Sequence, residues 1–289
     1  MNLLFIVNPV AGKGLALRSI PRIKEYCATH SLKCTILETK FKGHATALAR
    51  EFFSTSYDGI IAAGGDGTVR EVASALIGSS TPLGILPLGS GNDLSRALNL
   101  PNDLFSALSI VNNKSTKAFD VGSSDDFFFL NVASIGLDAE IVRFFAKTKK
   151  WLPRKAAYYI AAMIKFLTYK VKTIKLEIDG EIIETKLLFM AIANGTHYGG
   201  GMKVNPNGSI SDGFFDIILV RPIPRYKIPF LMAAFAAGRH LHLPYVTVYR
   251  CKDIKITCDE SLLVNGDGDI VATTPVNFSV LSGSIHVFA

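Results

Sequence analysis

Residues 61–68 read Ile61-Ala62-Ala63-Gly64-Gly65-Asp66-Gly67-Thr68, and a helical pattern follows from Val69 to Leu76. Apolar residues that run into a glycine turn and then a helix indicate a buried strand of an α/β sheet. Glycines in such a turn let backbone amides approach a phosphate, and the start of a helix favours negative charge. Because Asp66 would repel a phosphate unless a cation lay between them, the segment predicts a metal–nucleotide site. The alternative is an ordinary strand–turn–helix junction.

The composition predicts a large hydrophobic core and a preference for anionic partners. The chain has 289 residues, of which 49% are hydrophobic and 19% charged, enough for one large domain or two modest ones. No run of eighteen apolar residues occurs, so no membrane-spanning helix is expected. The net charge of +7 favours nucleotides, nucleic acid or an anionic membrane surface, and a merely basic protein is the alternative. Nucleic acid has little support, because no helix-turn-helix, zinc-finger or aromatic sheet motif accompanies the bases.

The cysteines and the first residues indicate a cytoplasmic protein. Cys27, Cys34, Cys251 and Cys258 show neither Cys-x-x-Cys spacing nor a histidine at metal-binding spacing, so we expect reduced thiols. Residues 1–7 are typical of a first strand and not of a signal peptide, because they lack a basic start and a small-residue cleavage site.

The first 120 residues alternate between strand and helix patterns, which predicts a parallel sheet with helices on both faces. Glycine-rich and polar turns at 8–14, 64–68 and 88–93 each follow a strand, so all three are expected at one edge of the sheet. The predicted strands are 2–7, 33–38, 58–63, 83–87 and 116–121, and the predicted helices are 15–29, 43–54, 67–77 and 101–112.

After about residue 122 the pattern changes to short strands separated by turns. Asp179-Gly180 lies between two such strands and predicts a hairpin. The pattern indicates a mostly antiparallel second domain, interrupted by helices at 154–169 and 226–239. The predicted strands are 127–135, 172–178, 181–188, 187–194, 214–220, 246–249, 254–257, 262–264, 276–281 and 285–288.

The two other turns also carry groups that bind phosphates. The turn at 8–14 resembles a shortened phosphate loop, from which Lys13 and Arg18 could reach a phosphate, and the alternative is a turn with solvated bases. In the turn at 88–93, polar side chains such as Asn92 could bind ribose or phosphate or orient a metal-bound water. Helix capping is the alternative there, and the two roles are compatible.

Three motifs together resemble a known family. They are Asn-Pro-x-x-Gly-Lys-Gly from Asn8, Gly-Gly-Asp-Gly-Thr from Gly64 and Leu-Pro-x-Gly-Ser-Gly-Asn-Asp-Leu-x-Arg-Ala from Leu86. In this order and spacing they are similar to the diacylglycerol kinase catalytic domain. The chain most resembles the small bacterial diacylglycerol/lipid kinases, relatives of sphingosine and ceramide kinases, over nearly its whole length. Further matching segments are 117–122, 129–136 and 211–216.

The resemblance implies two domains with an active site in the cleft between them. Residues 1–122 would form an α/β three-layer ATP-binding domain, to which the segment 278–289 returns. Residues 123–277 would form a β-sandwich domain that contributes the lipid site and the general base. The resemblance also implies ATP and Mg²⁺ as cofactors and allows a homodimer.

The resemblance further implies roles for individual residues. Asp66, Asp120 and Asp212 would join Lys13 in a network of acids, water and Mg²⁺, and Asp216 would belong to a second, structural metal site. A turn or capping role is the alternative for each acid. The residues expected around the nucleotide are Asn8, Gly12, Lys13, Gly64, Gly65, Asp66, Gly67, Thr68, Gly89, Ser90, Gly91, Asn92 and Asp93.

The chain departs from the family pattern near its end. Relatives carry Asp-Gly-Glu, in which the Glu is the general base on the lipid hydroxyl, whereas this chain has Asp267-Gly268-Asp269. The spacing to Pro275 aligns Asp269 with that Glu. A carboxylate one methylene shorter reaches roughly 1.5 Å less far, and a base must come within about 2.6–3.2 Å of the proton it removes. Asp267 is the second candidate for the base, and a plain hairpin turn is the alternative.

The segment 147–155 combines five Lys or Arg residues with the only Trp. Its bases would attract anionic lipid headgroups, and Trp151 and Leu152 could enter the membrane interface. We therefore predict a peripheral contact with the inner face of the membrane through Lys149, Lys150, Trp151 and Leu152; a solvated loop with a buried Trp is the alternative. The helix at 158–167 is apolar enough to line an acyl-chain groove, or it is simply core.

The expected reaction is transfer of the γ-phosphate of ATP, with Mg²⁺, to the primary hydroxyl of a membrane lipid such as diacylglycerol, which gives phosphatidic acid. The first rival is a kinase of NAD, since NAD kinases share Gly-Gly-Asp-Gly-Thr. The second rival is a nucleotide- or lipid-binding protein with weak or no kinase activity, because Asp269 replaces the usual Glu.

Overall fold

The computed structural model of the chain describes residues 1–52, 57–148 and 154–289. The chain forms two compact units. The first comprises Met1–Val121 together with Ser282–Ala289, and the second comprises Gly122–Leu281. The chain thus leaves the first unit once and returns to it with its last residues.

The first unit contains a parallel sheet against which helices pack. Its strands are β1 (Asn2–Val7), β2 (Lys33–Glu38), β3 (Gly59–Gly64) and β4 (Leu83–Pro87), in the spatial order β2-β1-β3-β4, and β5 (Thr116–Ser123) follows in the chain. Its helices are α1 (Ala11–Thr29), α2 (His44–Phe52), α3 (Asp66–Leu76), α4 (Asp93–Ala97) and α5 (Leu104–Asn113). Strands β3 and β4 are buried along their whole length, as expected where helices cover both faces of a sheet.

Three helices of this unit differ from the prediction. Helix α1 begins before residue 15, but its residues 12–14 have left-handed backbone angles, so regular helix follows this kink. Helix α4 was not predicted, because five residues hold too little periodicity to distinguish a short helix from a turn. Helix α5 begins at Leu104 and not at residue 101, since the Asp103 carboxylate caps it by accepting a hydrogen bond from the N–H of Ser106 at 2.9 Å.

The second unit consists mainly of antiparallel strands. They are β6 (Phe128–Phe129), β7 (Val132–Gly136), β8 (Lys172–Ile178), β9 (Glu181–Leu187), β10 (Phe189–Ala193), β11 (Phe215–Val220), β12 (Val246–Cys251), β13 (Asp253–Thr257), β14 (Leu263–Gly266), β15 (Asp269–Thr273) and β16 (Val276–Phe288). One sheet has the order β12-β11-β10-β7-β14-β15. In the other, β8 lies between β9 and β13, and β13 pairs with the first residues of β16.

The six-stranded sheet lies between the second sheet and a layer of helices. Its side chains alternate between two hydrophobic clusters: Met190 packs with residues of the second sheet, whereas the next residue, Ala191, packs with residues of the helices. These helices are α6 (Leu137–Thr148), α7 (Arg154–Thr168) and α8 (Ile228–Ala236), the last preceded by a 3-10 turn at Arg225–Lys227. An α/β domain and a β-sandwich domain are therefore both present, as predicted.

The predicted strand at 127–135 is two strands, β6 and β7, which are interrupted at Leu130 and Asn131. The carboxylate of Asp267 accepts hydrogen bonds from the N–H groups of Leu130, Asn131 and Val132 at 2.7, 3.0 and 3.1 Å. These N–H groups therefore have a side-chain partner, and the continuous apolar run in the sequence gives no sign of this break.

Three other elements of the second unit differ from the prediction. Strand β15 and helix α6 were not predicted, and the strands predicted at 276–281 and 285–288 are one strand, β16. The predicted hairpin at Asp179-Gly180 is confirmed, since β8 and β9 pair on either side of it.

Candidate functional site

Three turns lie together at one edge of the first unit. They follow the neighbouring parallel strands β1, β3 and β4 at the carboxyl end of each. Asn8 Nδ2 donates a hydrogen bond to Thr68 Oγ1 at 3.0 Å and so joins the first turn to the second. The second and third turns touch where Gly65 meets Gly89, because a Cβ atom on Gly89 would lie 2.4 Å from the Gly65 Cα. Similarly, a Cβ on Gly12 would lie 2.2 Å from the carbonyl oxygen of Leu88.

Asp66 connects two helix starts. It is the first residue of α3, and its two carboxylate oxygens accept hydrogen bonds from the N–H groups of Asn92 and Asp93, at 2.9 and 2.6 Å. Asp93 is in turn the first residue of α4. The carboxylate thus lies where the dipole of α3 favours negative charge and where the N–H groups at the start of α4 donate hydrogen bonds. The sequence assigned Asp66 to phosphate and metal contacts, with a turn or capping role as the alternative, and gave no sign that its partners would be at the start of α4.

Asn92 supports the third turn and does not cap a helix. Its backbone is left-handed, with φ at 57°, and no capping hydrogen bond leaves its side chain. Its Oδ1 accepts a hydrogen bond from the N–H of Gly89 at 3.1 Å, and its Nδ2 donates to the carbonyl of Pro87 at 3.0 Å. Asn92 therefore fixes the turn in which Gly89 approaches Gly65.

The outer side of the three turns offers donors to an anion. Helix α3 starts after Gly65, which has no side chain to cap it, and the first N–H groups of a helix have no carbonyl partner within that helix. Gly67 is exposed, and a Cβ atom placed on it would meet nothing within 4 Å. Lys13 is exposed in the first turn, where Arg18 Nη1 donates to the carbonyl oxygen of Lys13 at 3.2 Å. Arg18 thus braces the turn that presents Lys13.

The remaining predicted acids have protein partners. Asp120 is buried and accepts a hydrogen bond from the N–H of Gly283 at 2.7 Å. In the second unit, Asp212 pairs with Arg250 at 2.7 Å, and Asp216 accepts from Asn205 Nδ2 at 2.7 Å. Within residues 1–52, 57–148 and 154–289, no group of three or more His, Cys, Asp or Glu side chains is placed to hold a metal ion. The assignment of Asp66, Asp120, Asp212 and Asp216 to metals therefore stays a prediction.

The candidate base lies on the hairpin of β14 and β15. Asp267 and Gly268 form its two-residue turn, with φ at 48° and 93°, and Asp269 is the first residue of β15. Asp269 is partly exposed. The Asp267 carboxylate accepts hydrogen bonds from the three backbone N–H groups of residues 130–132. The two acids of this turn therefore have different surroundings.

A buried polar network behind this hairpin was missed by the sequence analysis. Asp138 Oδ2 accepts hydrogen bonds from Ser134 Oγ and Tyr198 OH, both at 2.6 Å, and from Asn265 Nδ2 at 3.0 Å. Asn265 Oδ1 accepts from the N–H of Gly268 at 3.0 Å, so the network reaches the residue next to Asp269. Burial raises the pKa of the Asp138 carboxyl group, because desolvation disfavours its charged form and the three hydrogen bonds only partly offset this.

No local signal in the sequence could have found this network. Its members come from β7, α6, a glycine-rich loop and β14, and Asp138 and Asn265 are 127 positions apart. Sequence patterns relate residues a few positions apart, so contacts of this length become visible only in the fold.

The predicted membrane residues Lys149, Lys150, Trp151 and Leu152 lie outside the described part of the chain. Helix α7, which follows them, has an inner side with Ala161 and Ala162 and an outer side with Met163 and Leu167. It thus contributes to the core and also exposes apolar groups, so the core alternative holds in part and the acyl-chain groove stays a prediction. Among residues 1–52, 57–148 and 154–289, no helix combines the length and apolar character needed to cross a bilayer.

Two family models together match almost the whole chain. The model of the diacylglycerol kinase catalytic domain matches residues 2–124. The model described as the YegS C-terminal NAD kinase beta sandwich-like domain matches residues 131–289. Both matches agree with the fold, since the first covers the strands around the three turns and the second covers the antiparallel sheets.

Similar proteins and structures point the same way. The diacylglycerol kinase of Staphylococcus aureus is 29% identical over 286 residues, which span 98% of this chain and 91% of that protein. Two solved structures of proteins from Bacillus anthracis that are described as putative diacylglycerol kinases cover 99% of this chain and 94% and 96% of theirs. They have TM-scores of 0.84 and 0.81 and identities of 28% and 27%. The chain therefore belongs to the bacterial diacylglycerol kinase family of lipid kinases.

Proposed function

We propose that this protein transfers the γ-phosphate of ATP, in the presence of Mg²⁺, to the primary hydroxyl of a membrane lipid. Diacylglycerol, which would give phosphatidic acid, is the proposed substrate, because the similar proteins of S. aureus carry that name. The observation that carries the proposal is the meeting of three glycine-containing turns around Asp66 and the start of α3. We place the reaction at the inner face of the membrane.

The residues of the first unit fit a triphosphate. The N–H groups that begin α3 and the ammonium of Lys13 would bind phosphate oxygens, and the bare Gly67 leaves room for them. Each carboxylate oxygen of Asp66 accepts one backbone hydrogen bond and keeps a further lone pair, so Asp66 could also bind a cation. Mg²⁺, when bound, would neutralise charge on the phosphates. The four predicted acids, Asp66, Asp120, Asp212 and Asp216, are proposed to hold Mg²⁺ and a structural metal ion.

We propose Asp269 and not Asp267 as the general base. A base needs a lone pair directed at the hydroxyl proton of the substrate. Asp267 directs its two oxygens at three backbone N–H groups, which occupy lone pairs that a base would need for the substrate. Asp269 is partly exposed, and the buried network supports the turn next to it. Phosphoryl transfer depends mainly on the positioning of the reacting groups and on charge. A carboxylate beside a turn that hydrogen bonds hold in place therefore suits the role of base.

The test is transfer of labelled γ-phosphate from ATP and Mg²⁺ to a panel of lipids in mixed micelles. The variants are Asp66→Ala, Asp269→Ala and Asp269→Glu. The matched control is Asp179→Ala, which changes the first residue of the other Asp-Gly hairpin turn, between β8 and β9. We expect transfer to diacylglycerol, loss of at least about 100-fold in both Ala variants of the site, as for a missing general base, and full activity in Asp179→Ala.

Three outcomes would contradict the proposal or part of it. ATP binding without transfer to any lipid would indicate a binding protein, above all if Asp269→Glu gained activity. Phosphorylation of NAD without any lipid would indicate an NAD kinase. Full activity of Asp269→Ala would exclude Asp269 as the base while leaving the lipid kinase assignment in place.

A further inference from the structure

Two long stretches of the second unit carry bases and no acids. Residues 141–176 contain ten Lys or Arg residues and no Asp or Glu, and residues 217–252 contain six and none. Together they hold sixteen of the 31 bases of the chain. The first stretch includes most of α6 and all of α7, and the second includes the 3-10 turn at Arg225–Lys227 and α8.

These helices form one layer. Ile141 of α6, Ala161 of α7 and Leu231 of α8 belong to a single buried cluster that also contains Ala191 and Ile218 of the six-stranded sheet. The layer therefore covers one face of this sheet. Glu140 of α6 pairs with Arg143 and with Lys165 of α7, at 2.8 Å each. Arg225 and Lys227 lie in the second stretch, which contains no acid. We call this layer of α6, α7, the 3-10 turn and α8 the basic helical layer.

Large apolar side chains are exposed on the basic helical layer. Tyr226 in the 3-10 turn and Phe230 in α8 are 71% and 73% exposed. Arg225 and Lys227 on either side of Tyr226 are also exposed. On α7, Met163 and Leu167 are 62% and 61% exposed and are four residues apart, so they share one side of the helix.

We propose that the basic helical layer is a docking surface for an anionic lipid bilayer, with Tyr226 and Phe230 entering the interface and Arg225 and Lys227 binding headgroups. Aromatic rings with adjacent bases favour the boundary between headgroups and acyl chains. Each base near an anionic surface adds to the attraction, and screening by salt weakens it. The inference rests on the proposed function in one respect, since a lipid kinase must reach a substrate that stays in the membrane.

Two other partners fit these features less well. The phosphates of a nucleic acid would bind the basic residues, and unpaired nucleobases could stack on Phe230, but the exposed aliphatic side chains of Met163 and Leu167 would gain no partner. A second copy of this chain docked through the same face would bring charges of one sign together, which is unfavourable. An anionic bilayer would bind the basic side chains through its headgroups and would take up the exposed apolar side chains in its interface.

The test is flotation of the full chain with vesicles of phosphatidylcholine, with and without phosphatidylglycerol, at low and high salt. One double variant, Tyr226→Ser with Phe230→Ser, removes the aromatic rings, and another, Arg225→Gln with Lys227→Gln, removes two charges. Ile182→Ser is the matched control, because Ile182 is 75% exposed in the same unit but lies on β9. We expect binding only to the anionic vesicles, a loss of about tenfold or more in each double variant, and no change in the control.

A second assay separates this inference from the proposed function. With a short-chain diacylglycerol that is dissolved and not in vesicles, both double variants should turn over like the unmodified protein. An absence of turnover in every protein, with vesicle binding as expected, would overturn the kinase proposal and leave the docking surface intact. Unchanged vesicle binding in both double variants would overturn the docking surface, as would binding to DNA but not to vesicles, or a fall in molecular mass of the variants from dimer to monomer.

Discussion

The three turns of the first unit and the hairpin of the second unit are the two candidate parts of the site, and different interactions stabilise them. In the first unit, backbone fixes the turns, because glycines allow direct approaches such as that of Gly89 to Gly65. In the second unit, side chains fix the hairpin, because Asp138 and Asn265 connect buried groups to its turn. Close backbone approach admits no added atom, whereas a hydrogen-bond network loses one bond at a time. The first region should therefore fail abruptly on substitution and the second by degrees.

The largest effect is expected from Gly89→Ala. The new Cβ would lie 2.4 Å from the Gly65 Cα, so the backbone of two turns must move apart. Overpacking typically costs about 1–3 kcal/mol of folding free energy and occasionally more, and a clash between two backbone segments should cost about 3 kcal/mol or more. Displacement of a site by about 1 Å can also lower turnover about 100-fold. Urea denaturation and the rate of phosphate transfer measure the two effects.

Gly67→Ala is the control for Gly89→Ala. Its Cβ meets no atom within 4 Å, and Ala favours a helix over Gly, so the free energy of unfolding should stay level or rise by up to about 1 kcal/mol. Equal destabilisation by both substitutions would show that backbone approach is not what fixes these turns.

A smaller effect is expected from Asp66→Ala. The substitution removes the charged acceptor of two hydrogen bonds that the N–H groups of Asn92 and Asp93 donate, so we expect a loss of roughly 1.5–3 kcal/mol in the free energy of unfolding. Asp58→Ala is the control, because its exposed carboxylate accepts one backbone hydrogen bond, from Asn2. The two should differ in chemical denaturation by about 1 kcal/mol or more, and a loss no larger than in the control would contradict the connecting role of Asp66.

Asn265→Ala tests the hairpin of the second unit. The substitution leaves Asp138 without one donor and the N–H of Gly268 without its acceptor, so we expect a loss of about 1–3 kcal/mol. Because Asn265 and the proposed nucleotide site belong to different units, kcat should fall while the Kd for ATP stays unchanged. Calorimetric titration with ATP and steady-state kinetics measure this difference, and Asn277→Ala, an exposed position on β16, serves as the control. If Asn265→Ala also weakened ATP binding, its effect would not be confined to the hairpin, and this would contradict the expectation for the second unit.

The smallest effect is the pH dependence that Asp138 imposes. Its pKa is raised in the folded protein, so at pH values between the unfolded and folded pKa the folded state holds a proton that the unfolded state has released. The contribution of Asp138 to stability is therefore greatest below the ordinary pKa of a carboxyl group and is lost as the pH rises through the raised pKa.

Asp138→Asn removes this titration. The stability of the unmodified protein should fall relative to that of the variant as the pH rises above about 4, by at most about 1.4 kcal/mol per pH unit. Urea denaturation of both proteins across this range measures the difference. Parallel curves would show that Asp138 titrates alike in the folded and unfolded states.

The sequence was most informative where residues close in the chain determine the structure. Strands β1, β2 and β4 have the predicted bounds, because buried apolar runs between turn residues identify a strand. The motifs also allowed the three turns to be expected at one edge, and the fold brings them into contact. The division of 127–135 into two strands was not predicted, because it depends on Asp267, more than 130 positions away.

Roles within the site were harder to predict than its location. A motif gives the type and spacing of residues but not the partner of each side chain, so it identified Asp66 but not its bonds to the start of α4. For the same reason, the motif could not distinguish Asp267 from Asp269. Only the fold shows that Asp267 accepts hydrogen bonds from three backbone N–H groups. Long-range contacts decide such roles, and a single sequence does not encode them in local spacing.

Strand β16 has a consequence for synthesis of the protein on the ribosome. Its first residues pair with β13, and Val287 near its end pairs with Leu83 of β4, while Phe288 is buried in the core of the first unit. Domains generally fold in order as a chain is made, but here the first unit lacks part of its core until residues 282–289, which follow the second unit, have left the ribosome. The nascent first unit must therefore wait, with its Phe288 site exposed, until translation of the second unit is complete.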